Sequence, residues 1–241
     1  MKKIILLILC ILSLIVSVNA QSTYTNGFIY ADHPIECRLI SSHNGTLTNQ
    51  LAAGLSYMTG NAILEFIPTN LTTLYLSGNI TIIANANSKF TIDIFEQEIS
   101  NLTDSPRKAK IGNYNLAITI ENGIVAISSI TNEYSAISLS AQESAFQLSG
   151  GQFVFDVNTN SVISYSQGNI KRILTQTKTD DTPKGAQLLI NPRFKLTTTE
   201  SYSPSNIQVE MYNSLIDELN SSSTNVDFFV IQGKLIGIWM K

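Results

Sequence analysis

The sequence predicts an all-β protein, either a stacked β-solenoid or a β-sandwich of short strands, with a small C-terminal helix and a β-hairpin. Two observations predict this class: apolar and polar residues alternate over most of the chain, and turn-forming residues interrupt the alternation about every 8–12 residues. No window before Ser203 shows an apolar stripe at helical spacing. A solenoid and a sandwich have the same strand spacing, so the sequence leaves the choice between them open.

The first 20 residues have the pattern of a secretory signal peptide. Two lysines precede an apolar run from Ile4 to Val18, which at about 15 residues is shorter than the ~20 that span a bilayer as a helix. Ala20 lies at the position of a small-residue cleavage site, and a polar stretch begins at Gln21. We therefore expect export to the periplasm, the cell surface or the medium, with membrane contact through the signal peptide alone. An uncleaved N-terminal anchor is the alternative.

Residues 21–200 are predicted to form one β domain. Apolar residues of one parity in each segment indicate strands with one buried face. The predicted inward residues are Leu74, Leu76, Ile80, Ile82, Phe90, Ile92, Ile94, Leu116, Ile118, Ile120, Phe146, Leu148, Phe153, Phe155 and Val157. Glu98 to Lys110, which is polar and contains Pro106, is predicted to be a loop, and Asp180-Asp181 a polar surface turn.

Residues 201–241 are predicted to cap this domain. Ile207, Met211, Leu215 and Leu219 have the spacing of one helix face, with Ser203 or Ser205 as the N-cap. A polar linker follows, and two apolar strands around Gln232-Gly233-Lys234 then predict a hairpin. We expect Trp239, which is the only tryptophan, to pack this unit against the rest.

The composition excludes several classes of function. The chain is 44% hydrophobic and 14% charged, with a net charge of −3. It has no basic stripe that could neutralise phosphates, so nucleic acid is not an expected partner. No phosphate loop and no Gly-x-Ser-x-Gly nucleophile motif occurs, and no cofactor is expected.

Four glycine-containing segments follow one another in the second half of the chain: Asn122–Ile127, Gly150–Val157, Val162–Ile170 and Lys184–Ile190. Their order resembles that of the FecR family, whose periplasmic β domain occurs in iron-signalling regulators and in other exported proteins. Two positions depart from the family pattern: Gly151 stands where Thr is usual, and Gln167 where Glu is common.

The resemblance implies scaffold positions and no catalytic residue. The positions that correspond to the family motif are Gly123, Gly150, Gly151, Phe153, Gly168 and Gly185, of which Gly151 is the departure from the usual Thr. The family's regulators carry a cytoplasmic helical segment that holds a sigma factor, whereas three residues precede the apolar run in this chain. The resemblance therefore implies a free-standing exported member of the family, without sigma-factor regulation.

Two local groups of residues offer alternative chemistry. His33, Cys37 and His43 fall within eleven residues and could hold zinc or copper, but their spacing matches no compact metal motif, so no metal is expected. Cys37 is the one cysteine after the signal peptide, so no disulfide can form within the mature chain. The acidic residues Asp93, Glu96, Glu98, Asp180 and Asp181 could serve a glycan-active enzyme.

The expected function is therefore non-catalytic binding or sensing in the cell envelope. The partner would be a glycan, a protein or a second copy of the chain. Tyr75, Tyr134 and Tyr165 could stack on sugar rings if exposed, or they could be half-buried packing residues. A glycan-active enzyme that uses Asp93, Glu96 or Asp180 and a structural envelope subunit are the alternatives.

Overall fold

The computed structural model describes fifteen segments of the chain: residues 23–41, 45–51, 53–54, 56–58, 63–101, 109–129, 136–141, 144–159, 161–165, 169–173, 179–182, 187–189, 206–222, 226–231 and 234–240. The predicted signal peptide, residues 1–20, lies outside these segments. So do the predicted N-cap serines and two of the family-motif positions, Gly168 and Gly185.

The described residues form twenty strands and one helix. In chain order these are β1 (Thr23–Asn26), β2 (Phe28–Ala31), β3 (Ile35–Ser41), β4 (Gly45–Leu51), β5 (Ser56–Met58), β6 (Ile63–Ile67), β7 (Thr72–Leu76), β8 (Ile80–Ala84), β9 (Lys89–Asn101), β10 (Ala109–Asn122), β11 (Ile124–Ser129), β12 (Ala136–Ala141), β13 (Ser144–Ser149), β14 (Gly151–Asp156), β15 (Ser161–Ser164), β16 (Asn169–Ile173), β17 (Thr179–Thr182), β18 (Gln187–Leu189), α1 (Asn206–Ser222), β19 (Val226–Ile231) and β20 (Lys234–Met240).

Two sheets built from eighteen of these strands pack face to face, which confirms the predicted all-β class and selects the sandwich over the solenoid. The ten-stranded sheet has the order β17-β16-β13-β12-β10-β9-β6-β3-β4, with β1 paired to the far part of β9. The eight-stranded sheet has the order β18-β15-β14-β11-β8-β7-β2-β5. In both sheets the strands follow nearly the order of the chain, because the chain crosses from one sheet to the other after one or two strands.

The core lies between the two sheets and follows from the alternation in the sequence. Successive side chains of a strand point to opposite faces, so apolar residues of one parity meet those of the facing sheet. One continuous cluster of buried residues runs from Ile29 in β2 to Val162 in β15. Within it, Phe66 stacks on Phe90 with ring centroids 5.2 Å apart, and Phe146 meets Phe155 edge-on at 5.9 Å.

A second apolar layer lies on the outside of the eight-stranded sheet. Strands β8, β11 and β14 are apolar at both parities, so each has a second apolar face that needs cover. Helix α1 covers that face, and its Tyr212, Leu215 and Leu219 are fully buried in this second layer. The sheet residues of the layer are Ile83, Ile124, Ala126 and Val154, with Ile163 and Tyr165 partly buried beside them.

The structure confirms the predicted C-terminal helix and hairpin. Helix α1 includes all four residues of the predicted apolar stripe, and it extends to Ser222, into the predicted linker. Strands β19 and β20 pair in antiparallel fashion, and β19 lies beside β10. The side chain of Trp239 lies outside the described part of the structure, so its predicted packing stays a prediction.

Three sequence-based predictions were wrong. Ile94 is 46% exposed because β9 contains a bulge at Asp93, after which Phe95 rather than Ile94 points into the core. The predicted loop from Glu98 to Lys110 is partly strand, since β9 continues to Asn101 and β10 begins at Ala109. Asp180-Asp181 lies in strand β17, which pairs with β16, and not in a turn.

Candidate binding face

The outer face of the ten-stranded sheet is the candidate functional surface of this protein, and we call it the open face. It is formed by the residues of β3, β6, β9, β10, β12 and β13 that alternate with the core residues. Among the described side chains it includes Glu36, Arg38, Ile40, Ile63, Glu65, Lys89, Thr91, Asp93, Ile94, Ala117, Thr119, Glu121, Ser138, Ser140 and Gln147. Several of them are exposed, including Ile63, Ile94, Ser138, Ser140 and Gln147.

An apolar strip crosses the open face perpendicular to the strands. Ile40 pairs with Ile63, and Ile94 pairs with Ala117. The bulge residue Asp93 lies between the two pairs, because Leu64 pairs with Ile92. Neighbouring strands are about 4.8 Å apart, so the strip is roughly 15 Å long across four strands. Ile63 is 37% and Ile94 46% exposed.

The bulge in β9 produces this strip. In a regular strand Ile94 would face inward, as the alternation from Phe90 and Ile92 predicts. The extra residue turns Asp93 and Ile94 to the same side. The Asp93 carboxylate accepts hydrogen bonds from the hydroxyls of Thr91 and Thr119, both at 2.7 Å, which fixes the bulge.

An ion-pair network lies beside the apolar strip. Arg38 contacts Glu36 at 3.1 Å and Glu65 at 3.2 Å, and Lys89 contacts Glu65 at 3.0 Å and Glu121 at 2.6 Å. The Glu65 side chain is 8% exposed, and its two cationic partners balance its burial. Hydrogen bonds to Glu121 and Glu65 raise the pKa of Lys89. The open face thus combines fixed charges of both signs with an apolar strip.

Of the predicted acidic residues, the structure describes the side chains of Asp93, Glu96 and Glu98. Asp93 is engaged by two threonines, Glu98 accepts a hydrogen bond from the Asn113 amide at 2.9 Å, and Glu96 is exposed. The side chains of Asp180 and Asp181 lie outside the described residues.

The tyrosines considered for sugar stacking are packing residues where the structure describes them. Tyr75 is 8% exposed and packs against Tyr30, with ring centroids 5.9 Å apart. Tyr165 is partly buried beside helix α1. Tyr134 lies outside the described segments. The open face carries no aromatic side chain among its described residues.

Of the residues considered for a metal site, the structure describes Cys37, which is buried, and His33, which is exposed. Burial raises the pKa of the Cys37 thiol to about 12, so it packs as a small apolar group. His33 is exposed, with its Nδ1 atom 3.0 Å from Asp32. His43 lies outside the described segments, and within those segments no three histidine, cysteine or acidic residues converge.

The family-motif residues that the structure describes have structural roles in turns and in the core. Gly123, Gly150 and Gly151 have φ angles of 89°, 62° and 100°, and Phe153 is fully buried. The Gly123 carbonyl also accepts a hydrogen bond from the Val157 N–H at 3.0 Å, which joins the start of β11 to the end of β14. The three glycines lie at the ends of β11 and β14, and Phe153 packs in the core between the sheets, so none of them belongs to the open face.

Sequence reasoning missed both the apolar strip and the ion-pair network. The network joins residues of four strands that are far apart in sequence, so no local spacing could indicate it. A usable signal did exist, because Glu36, Arg38 and Glu65 all occupy outward positions of otherwise apolar strands.

Within the described residues, no helix has the length and apolarity needed to cross a membrane. Comparisons of the chain with protein-family models, with curated proteins and with solved structures give no match.

Proposed function

We propose that this chain is an exported, non-catalytic β module, similar to the FecR domain, that binds a partner protein in the cell envelope through its open face. The observation that carries the proposal is the asymmetry of the two outer faces. Helix α1 covers the outer face of the eight-stranded sheet, whereas the open face exposes an apolar strip beside charged residues.

The chemistry of the open face favours a protein partner over a glycan. Protein interfaces combine an apolar centre with a polar rim, which matches the strip around Ile63 and Ile94 and the flanking network around Glu65. Carbohydrate sites commonly use aromatic rings as stacking platforms, and the described open face has none. Export is supported by the signal-peptide pattern of residues 1–20.

The hydrogen bonds of the carboxylates of Asp93 and Glu98 favour a binding function over catalysis. A glycosidase needs two carboxyl groups about 5–10 Å apart on either side of a substrate. Asp93 and Glu98 are bound to neighbouring side chains, and Asp93 stabilises the bulge that forms the strip. These contacts give both acids a structural role.

The test is a pull-down from envelope extract with the exported chain and a double variant, Ile63→Ser with Ile94→Ser. Both side chains are exposed, so the variant should keep its fold while losing the apolar strip. We expect a protein that the wild-type chain captures to be lost with the double variant. Leu71→Ser is the matched control, because Leu71 is 41% exposed and lies just before β7, away from the open face.

Two outcomes would contradict the proposal. One is capture of the same protein by the wild-type chain and the double variant alike. The other is retention of the chain on isolated cell-wall glycan without any protein partner, which would assign the module to carbohydrate binding.

A further inference from the structure

Among the described residues, the terminal strands at both ends of the sandwich have one edge that pairs with no further strand. At one end the sheets terminate in β4 and β5, and at the other end in β17 and β18. No strand among the described residues pairs with the outer edge of any of these four. Each end therefore presents two rows of backbone N–H and C=O groups, one from each sheet.

In each sheet the two terminal strands run in opposite directions, which is the relation that antiparallel pairing between two copies requires. All pairings in the eight-stranded sheet are antiparallel, and eight strands place β5 and β18 in opposite directions. The path from β4 to β17 has nine strands, so purely antiparallel pairing would make its two ends parallel. The single parallel pair, β10 with β12, reverses this and makes β4 and β17 antiparallel as well.

Three of the four terminal strands lack the charged residues and prolines that often protect sheet edges, although β5 and β18 are only three residues long. Natural proteins often place lysine, proline or inward-facing charges on edge strands. The sequences of β4, β5 and β18 contain no charged residue and no proline. Of the four terminal strands, β17 alone carries charge, with Asp180 and Asp181.

We infer that copies of this chain assemble end to end, with β17 and β18 of one copy pairing with β4 and β5 of the next. A copy displaced along the sheet direction brings antiparallel edges together in both sheets at once. An unrelated strand could extend one sheet, whereas a second copy extends both. The contact joins two different surfaces, so it repeats head to tail, and because each copy is displaced along the sheet direction rather than rotated about a closed ring, the assembly is linear. The inference goes beyond the proposed function, because these ends are separate from the open face.

The first experiment measures the size of the exported chain by light scattering over a range of concentrations, with electron microscopy of the larger species. We expect linear species that grow with concentration. The double variant Thr46→Lys with Thr48→Lys, which places two cations in β4, should lose them. Ser138→Lys with Ser140→Lys is the matched control, since it adds the same charges at the same spacing in β12, an internal strand. It should assemble as the wild-type chain does.

A mixing experiment tests the polarity of the contact and also controls for misfolding. The β4 double variant keeps its β17 and β18 edges, so it should add to one end of a wild-type assembly and stop growth there. A small fraction of variant should therefore shorten the wild-type assemblies, which a misfolded variant would not do. A chain that stays monomeric at all concentrations, a discrete dimer, or a β4 variant that neither loses assembly nor shortens the wild-type species would overturn the inference. Binding of a partner protein at the open face is read out separately by the Ile63 and Ile94 variants.

Discussion

Gly123 shows how a single residue fixes the path of the chain between β10 and β11. Its φ angle is 89°, and a Cβ atom at this position would lie 2.4 Å from Ser88 Oγ and 2.6 Å from Ser88 Cα. The Ser88 hydroxyl lies 3.1 Å from the Ile124 N–H, which donates to it, and 3.0 Å from the Ile124 carbonyl. Glycine is needed here both for its backbone conformation and for the close approach of Ser88.

We expect Gly123→Ala to lower the free energy of unfolding by roughly 1–3 kcal/mol for the strained backbone, with a further loss from the contact with Ser88. Urea unfolding followed by circular dichroism measures the change. Gly54→Ala is the matched control, because Gly54 has a φ of 77° but its Cβ would meet nothing closer than 3.9 Å. Equal losses in the two variants would show that the contact with Ser88 contributes nothing.

Most inward-facing residues were predicted correctly from the sequence, but the outward-facing residue Ile94 of the open face was not. Leu116, Ile118 and Ile120 are all buried, because alternation within one strand is a local property. Ile94 was assigned to the wrong face because the bulge depends on pairing with β10, which local alternation does not reveal. The candidate site was therefore less predictable than the core.

Helix α1 is attached to the eight-stranded sheet by polar contacts as well as by its apolar face. The hydroxyl of Tyr212 donates to the buried Asp156 carboxylate, whose other oxygen accepts the backbone N–H groups of Asn158 and Thr159 at 3.0 and 3.1 Å. Near the other end of the helix, Gln152 donates to Asn220 at 2.5 Å. These contacts give the docked helix one orientation.

Tyr212→Phe should lower the free energy of unfolding by about 1–3 kcal/mol, because a buried oxygen of Asp156 loses its hydroxyl donor while the ring packing stays. Urea unfolding compares the variant with wild type. Asn213→Ala, one position along on the exposed side of the helix, should change stability by no more than about 0.5 kcal/mol. A Tyr212→Phe variant as stable as Asn213→Ala would mean that the hydrogen bond does not stabilise the docked helix.

The two-sided burial of β8 and β11 can be recognised in the sequence. Both strands are apolar at consecutive positions, as in Ile82-Ile83 and Val125-Ala126, so each has one apolar face toward the core and another toward the helix. The helix itself is predicted from the spacing of Ile207, Met211, Leu215 and Leu219. Combining the two patterns would have predicted which sheet face the helix covers.

The molecule as a whole should unfold as one cooperative unit, because a single core runs through both sheets from β2 to β15. Hydrogen exchange in increasing urea measures this residue by residue. We expect the amides of Ile92, Ile118 and Ile127 to share one opening free energy, that of global unfolding. Amides of β4 and β17, which are paired on one side, should open at lower free energy. Separate opening free energies for β9 and β11 would show that the sheets unfold independently.

The arrangement of the strands in two sheets was harder to predict from the sequence than the strands themselves. Strand lengths and turns are encoded locally, so the all-β class follows from the sequence. The assignment of strands to two sheets depends on which segments pair, and pairs such as Ile29 with Leu76 are distant in sequence. A solenoid would have satisfied the same local pattern, so the sequence left both open.

The near-sequential strand order also bears on how such a protein can change in length during evolution. Duplication or loss of a segment that contributes strands to both sheets would change the length of each sheet by about 4.8 Å per strand. The order and pairing of the other strands would stay the same. The two-layer cross-section and the core would stay the same. The number of strands gained or lost matters, since adding one strand to a sheet reverses the direction of its last edge. Length variants that keep the present relation between the ends should therefore differ by an even number of antiparallel strands in each sheet.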